Sequence, residues 1–233
     1  MACLLLFSHP AAPRVRFLLI DLHCHTYPKS DDAFMSVDEL IDGTKSKGLD
    51  GVCLTEHDAF WSADEAQELS RRHEFLVLPG CEINTDTGHA LVFGLDHYEF
   101  GLHRPAYLAD CVERASGVMI AAHPYRRRFL AEPAKRPEAR DEMLDRASGD
   151  DFFRMCQAIE GLNGRGSDVQ NQFSQDLGTS LDSVLTAGSD AHRVDQLGTA
   201  ATEFQASIES LEDLILQLRN GSCRPVDLRN ANG

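Results

Sequence analysis

Residues 17–26 have the sequence FLLIDLHCHT, in which an apolar run ends directly in two histidines separated by one residue. The run from Phe17 to Leu22 has the composition of a short buried strand. Side chains alternate between the two faces of an extended chain, so His23 and His25 point to the same side and can reach one cation. The segment therefore predicts a strand that carries a pair of metal ligands at its carboxyl end.

Short apolar runs alternate with segments of helical period along most of the remaining chain, which is the pattern of βα units. Further strands are predicted at 49–55, 75–78, 89–95, 118–122, 158–162 and 183–187. Helices are predicted at 107–115, 168–177 and 208–218, and after two capping-box pairs, Ser36 with Glu39 and Ser62 with Glu65. Gly48 fits the end of the first capped helix. The pattern indicates one α/β domain with a parallel sheet or barrel.

The predicted domain covers residues 17–222. Residues 1–16 are interpreted as an N-terminal extension, either disordered or a start-site artefact, and residues 223–233 as a ragged C-terminal tail. The polar segment 126–155, with prolines nearby, is predicted to be a helical insertion and a candidate lid. No apolar stretch after the first residues approaches the roughly 20 residues of a membrane span, so no membrane partner is expected.

Composition indicates which classes of protein and function fit this chain. The 233 residues are 42% hydrophobic, enough for a sizeable core. A formal net charge of −15 opposes a nucleic-acid coating role, because nonspecific binding to nucleic acid depends on Lys and Arg. The seven cysteines include no CxxC pair, which is typical of reduced thiols and indicates a cytoplasmic protein.

Titratable residues follow nearly every predicted strand. The segments are His23-Cys24-His25, Glu56-His57-Asp58, Gly80-Cys81-Glu82, Ala122-His123-Pro124 and Ser189-Asp190-Ala191-His192. The carboxyl ends of parallel strands converge on one face of a barrel, where barrel enzymes carry their chemistry. Burying these groups unpaired would cost several kcal/mol each, by the general cost of polar burial. Imidazole and carboxylate ligands suit zinc, manganese or iron, so the sequence predicts a metal cluster.

These motifs, together with Ser30-Asp31 and Gly88-His89, resemble the PHP family, named for its polymerase and histidinol phosphatase members. The resemblance extends from about residue 20 to 218. It implies a distorted seven-stranded TIM-like βα barrel, in a single domain. It also implies two or three divalent metal ions (Zn, Mn or Fe) that hydrolyse phosphate esters.

The resemblance further implies nine metal ligands: His23, His25, Asp31, His57, Glu82, His89, His123, Asp190 and His192. One ion is assigned to His23, His25, Glu82 and Asp190. Glu82 is expected to bridge to a second ion held by His123 and His89. A third ion is assigned to His57 and His192 with a residue from the Ser30-Asp31-Asp32 stretch, where Asp31 occupies the matching place and Asp32 is the alternative.

Phosphate esters are anionic, so a site that hydrolyses them must neutralise charge and generate a nucleophile near neutral pH. Divalent ions lower the pKa of a bound water from about 15.7 toward 7. Our hypothesis is that a metal-bridging hydroxide attacks phosphorus, with Glu82, Asp190 and His192 as the catalytic side chains. Arg126 or Arg193 is expected to contact the phosphate, since guanidinium groups bind phosphate in a bidentate manner. The alternative for the arginine run at 126–128 is a solvated charge cluster.

The sequence thus predicts a metal-dependent phosphoesterase of small phosphorylated metabolites, such as a nucleotide, histidinol phosphate or a small diester. An amidohydrolase is the alternative enzyme, although that class is expected to place a bridging lysine where this chain has Glu82. A non-catalytic metal-binding protein is the third possibility. Substrate identity and oligomeric state are left open by the sequence.

Overall fold

The computed structural model describes residues 17–124 and 137–229. The strands in these ranges are β1 (Leu18–Asp21), β2 (Gly51–Leu54), β3 (Leu76–Pro79), β4 (Cys81–Asn84), β5 (His89–Phe93), β6 (Val118–Ala122), β7 (Ala158–Asn163), β8 (Val184–Gly188), β9 (Ala200–Phe204) and β10 (Cys223–Asp227). The α-helices are α1 (Val37–Ser46), α2 (Ala63–His73), α3 (Pro105–Arg114), α4 (Pro137–Ser148), α5 (Asp151–Met155), α6 (Asp168–Ser180) and α7 (Leu211–Arg219). A short 3-10 helix covers Val194–Gln196.

The predicted capping boxes are confirmed at the starts of α1 and α2. Ser36 Oγ accepts the backbone N–H of Glu39, and the Glu39 side chain accepts the backbone N–H of Ser36. Ser62 and Glu65 make the same reciprocal pair. These contacts satisfy amide groups that have no partner within the first helical turn. Gly48 follows α1 with a φ of +82°, a conformation that favours glycine.

The strands form two five-stranded sheets, in the orders β10-β9-β1-β2-β3 and β4-β5-β6-β7-β8. Strands β1, β2 and β3 are parallel, as are β6, β7 and β8. Strand β5 is antiparallel to both neighbours, which corrects the prediction of a wholly parallel arrangement. The short connection after Asn84 accounts for the antiparallel pairing of β5 with β4, since a parallel crossover needs about a dozen residues or more.

The structure shows a mixed α/β domain, but the described strands do not form one closed barrel. Two isolated parallel bridges, Cys24 with Ala191 and His57 with Glu82, connect the sheets. Of these four residues only Glu82 belongs to a regular strand, β4. The continuous strand pairing of the barrel expected from the sequence is therefore interrupted between the two sheets. The interruptions lie at the segments that carry the predicted metal ligands.

The C-terminal segment also differs from the prediction of a ragged tail at 223–233. Cys223–Asp227 forms the edge strand β10, which pairs antiparallel with β9. The sequence does not predict this strand because it contains Pro225. Proline lacks the N–H group and is tolerated mainly at sheet edges. The segment 1–16 lies outside the described residues, as does 126–136 of the predicted insertion at 126–155; α4 and α5 lie in the described remainder.

Apolar residues from both sheets form one inner cluster, which includes Ile20, Phe93, Val118 and Phe204. Separate clusters join the outer faces of the sheets to the surrounding helices. Burial of these side chains is the main favourable contribution to folding. The packing of these clusters holds in place the strand ends that carry the polar residues. Among the described helices, none has the length and apolar character needed to cross a membrane.

Candidate metal centre

Five strand-end side chains meet at one edge of the two sheets, almost fully shielded from solvent. His23 and His25 follow β1, Glu82 lies in β4, His123 follows β6 and Asp190 follows β8, and each is at most 3% exposed. His123 and Asp190 have φ angles of +26° and +54°, in the left-handed region that non-glycine residues rarely adopt. Such backbone persists only where the surrounding contacts hold it.

Glu82 is the centre of the cluster. Its Oε2 lies 3.3 Å from His23 Nε2, 3.3 Å from His25 Nε2 and 3.0 Å from His57 Nδ1. Its Oε1 faces two further histidines, at 2.6 Å from His89 Nδ1 and 2.9 Å from His123 Nε2. One carboxylate therefore contacts five imidazoles, three through one oxygen and two through the other.

Asp190 completes the first predicted ligand set. Its Oδ1 lies 3.7 Å from His23 Nε2 and 3.6 Å from His25 Nε2, on the same side as Glu82. Groups of three ligand atoms, all within 4.8 Å of one another, include His23 with Glu82 and His123, and His23 with His25 and Asp190. The structure thus brings the ligands predicted for the first two ions into one cluster.

The proton arrangement around His25 shows that this cluster fits a cation. Ser30 Oγ donates to Glu56 Oε2 at 2.6 Å and is 3.3 Å from His25 Nδ1, so it accepts the Nδ1 proton. The Nε2 lone pair of His25 is then directed at Glu82 Oε2, and both atoms are buried without a hydrogen-bond partner. Two buried acceptors facing each other are unfavourable unless a cation lies between them.

The third predicted ligand set surrounds His57 and His192, near the Asp31-Asp32 pair. Asp32 Oδ2 lies 3.1 Å from His192 Nε2 and 3.4 Å from His57 Nε2, and both Asp31 and Asp32 line the adjacent cavity. Asp32, the alternative named from the sequence, is thus the aspartate in contact with these two histidines. His57 and His192 also group with His25.

Burial and opposite charge act against each other on the titratable groups. Burial lowers the pKa of His25 to about 4, although Glu82 opposes the shift. For His23, burial also lowers the pKa, but the carboxylates of Glu160, Asp190 and Glu82 outweigh it and raise the pKa well above its usual value. For Glu82, burial raises the pKa, whereas the surrounding histidines, first of all His23, hold it well below its usual range.

A cavity of about 720 Å³ opens onto the third set. Arg165 lines it, with Nη1 3.1 Å from His192 Nδ1 and 3.5 Å from Asp190 Oδ1. The predicted phosphate ligand Arg193 pairs with Asp195, two residues further along the chain, and is not among the residues lining this cavity. Arg126 lies outside the described residues.

Glu160 belongs to the site, although none of the strand-end motifs includes it. Its carboxylate, 1% exposed, contacts His23 Nδ1 and the backbone N–H of His123. From the sequence alone a polar residue near a strand end is expected to satisfy local backbone groups. The available signal was an acidic residue within an otherwise apolar strand, a position where charge is rarely buried unless it is paired.

Comparison with known families agrees with the motifs. The model of the PHP domain matches residues 21–168, more than half of the chain. This chain belongs to the PHP family. A second model, described as PHP-associated, matches residues 170–223 of the PHP chain. The resemblance predicted from the motifs is therefore confirmed.

Individual relatives of the PHP chain are distant or short matches. A protein of Caldicellulosiruptor saccharolyticus named "Probable phosphatase" is 42% identical over 41 residues, which are 18% of this chain and 17% of that protein. The crystal structure of PsfC from Pseudomonas syringae has a TM-score of 0.59 at 20% identity, covering 88% of this chain and 94% of PsfC. A candidate metal-dependent phosphoesterase from Bifidobacterium adolescentis has a TM-score of 0.52 at 20% identity, covering 75% and 87% respectively. At these identities the two structures show a shared fold.

Proposed function

We propose that this PHP protein is a metal-dependent phosphoesterase that acts on small phosphorylated substrates. The observation that carries the proposal is Glu82, whose two oxygens face five histidines. A bridging carboxylate of this kind suits neighbouring divalent cations. Family membership and the phosphatase and phosphoesterase names of similar proteins support the reaction class.

The clusters of histidine and carboxylate side chains suggest which residues would hold each cation. His23, His25, Glu82 and Asp190 would hold one cation, and Glu82 would share a second with His123 and His89. His57, His192 and Asp32 would hold a third. Divalent zinc, manganese or iron bound there would supply a water of lowered pKa and neutralise phosphoryl oxygens. We also infer that the two bridges between the sheets mark a distorted seven-stranded barrel, with residues 17–222 as its unit, extended by the edge strand β10, and 126–155 as an insertion.

Arg165 is the described cation best placed to bind the substrate phosphate. It lines the cavity and lies against Asp190 and His192, whose carboxylate and imidazole border the site. Its planar guanidinium can donate two hydrogen bonds to phosphoryl oxygens. We assign Asp190 and His192, with Glu82, to the catalytic group because they connect the buried cluster to this cavity. Either a monoester, such as a nucleotide or histidinol phosphate, or a small diester fits the proposal.

Hydrolysis of p-nitrophenyl phosphate, bis-p-nitrophenyl phosphate and a panel of phosphorylated metabolites tests this function. We expect turnover that is lost after chelation and restored by Mn²⁺, Zn²⁺ or Fe²⁺. Cyclic amides and ureas, assayed with the same preparation, test the amidohydrolase alternative. Metal-dependent turnover of the amides alone, or metal binding with no hydrolysis of any substrate, would contradict the phosphoesterase assignment.

A further inference from the structure

Glu160, in the middle of β7, contacts ligands that belong to different strands. Its Oε1 lies 2.8 Å from His23 Nδ1, the ring nitrogen opposite the one that faces Glu82. Its Oε2 accepts the backbone N–H of His123 at 2.8 Å. Neither contact is local, since the two partners are 137 and 37 residues away in sequence. One buried carboxylate therefore contacts residues assigned to two different cation positions.

Asn163 extends these contacts to a third ligand. Its Nδ2 donates to Glu160 Oε2 at 3.0 Å and to Asp190 Oδ2 at 3.1 Å. The second bond leaves Asp190 Oδ1 directed toward His23 and His25. Asn171 accepts the Asn163 backbone N–H at 3.0 Å and so holds this residue in place.

From these contacts we propose that Glu160 is a positioning residue that sets the geometry of both Glu82-linked cation positions. The inference rests on the proposed metal centre. A cation held by His23 needs the Nε2 lone pair, so the proton must lie on Nδ1, where Glu160 accepts it. The bond to His123 N–H also holds a backbone with a φ of +26°, and that backbone directs the His123 ring toward Glu82 Oε1.

The chemistry of position 160 requires a carboxylate. Both oxygens act as acceptors, one for His23 Nδ1 and the other for His123 N–H and Asn163 Nδ2. A glutamine has one acceptor oxygen and one donor NH₂, so it satisfies only one side. With the NH₂ group toward His23, Nδ1 must accept and the proton moves to the metal-facing nitrogen. With the NH₂ group toward His123, two donors oppose each other.

The test is the metal affinity of Glu160→Gln, measured by chelator competition with Mn²⁺ and Zn²⁺, and the visible spectrum of the Co²⁺-loaded protein. We expect affinity to fall by about 10–100-fold, the usual effect of losing a partner of a metal-bound histidine, together with a changed Co²⁺ spectrum. Glu99→Gln is the matched control, because Glu99 bonds Tyr107 and Cys111 away from the centre. It should retain wild-type affinity. A merely structural role would alter unfolding but leave the affinity and spectrum of the folded protein unchanged.

Asn163→Ala provides a second variant that keeps the Glu160 carboxylate. We expect a smaller loss of affinity in the same direction, and this variant decides the question if Glu160→Gln does not fold. Wild-type affinity and spectrum in folded Glu160→Gln, or in Asn163→Ala when it is the only folded variant, would overturn the assignment while leaving the metal centre intact. A wild-type protein that binds no metal would instead overturn the proposed function and this inference together.

Discussion

Glu82 Oε2 and His25 Nε2 lie 3.3 Å apart, both buried and both without a hydrogen-bond partner. Ser30 Oγ accepts a hydrogen bond from the other His25 nitrogen, and burial lowers the pKa of His25 to about 4. The imidazole is therefore neutral near pH 7, with its lone pair toward the carboxylate. This arrangement is stable only if positive charge is placed between the two groups.

Metal removal should consequently destabilise the protein. With free Mn²⁺ or Zn²⁺ at about 100 times the dissociation constant, binding to the native state adds about 2.7 kcal/mol. For a chain of this length that corresponds to a rise in Tm of about 5–10 °C. Calorimetry of the metal-free protein with and without added metal measures the shift, with Ca²⁺ as the control for general ionic effects. Equal Tm values under all conditions would contradict the cation fit.

The two neighbouring aspartates should behave differently. Asp32→Asn should lower the number of bound ions and reduce kcat by about tenfold or more, by analogy with the loss of other metal-site groups, because Asp32 faces His57 and His192. Asp31→Asn is the matched control and should keep the full metal content. Elemental analysis and phosphatase kinetics of both variants provide the comparison. Metal loss in the Asp31 variant alone would restore the assignment made from the sequence.

Substitutions of Arg165 and Arg193 should have different effects on hydrolysis. Arg165→Ala should lower kcat/KM for a phosphoester by about 10–100-fold, since a hydrogen bond to a charged group contributes about 1.5–3 kcal/mol. Most of the loss should be an increase in KM. Arg193→Ala should have little effect, because Arg193 pairs with Asp195 at the surface. Steady-state kinetics of the two variants decide between them, and the reverse ranking would show that Arg193 reaches the substrate.

Gly188, at the end of β8, lies against His23, which follows β1. A Cβ at this position would contact His23 Cβ and lie 2.8 Å from the backbone nitrogen of His23. Gly188→Ala should therefore cost about 1–3 kcal/mol of unfolding free energy, the usual range for overpacking, and weaken metal binding. Denaturant unfolding and metal titration measure both effects. Gly149→Ala, whose added Cβ would meet nothing closer than 3.6 Å, is the control. Wild-type stability of the Gly188 variant would show that the two segments separate easily.

Local sequence patterns, such as capping pairs and apolar runs, were sufficient to predict much of the fold. The capping pairs at Ser36 and Ser62 mark helices that the structure places there, and the seven predicted strands all have counterparts. Strand β4 was interpreted only as a strand-end motif because Gly80 alone separates it from β3. The antiparallel pairing of β5 with β6, across a long connection that contains α3, depends on contacts that periodicity does not reveal.

In the candidate site, too, the sequence predicts features that depend on local position but not contacts between residues far apart in the chain. Strand-end position was sufficient to group His23, Glu82 and Asp190, since it depends only on chain direction. The partner of Glu160 is 137 residues away, and no local pattern identifies it. Arg165 follows β7 at the edge where the ligands meet, so the same strand-end rule applied to arginine would have selected it.

Crystals grown with Mn²⁺ and measured for anomalous scattering test the central claim most directly. The account predicts at least two anomalous peaks that share Glu82 as a ligand, one bounded by His23, His25 and Asp190 and the other by His123. The Glu82→Gln variant should lose at least one of these peaks. Mn²⁺ bound only outside this cluster, or not bound at all, would contradict the claim that these residues form one metal centre.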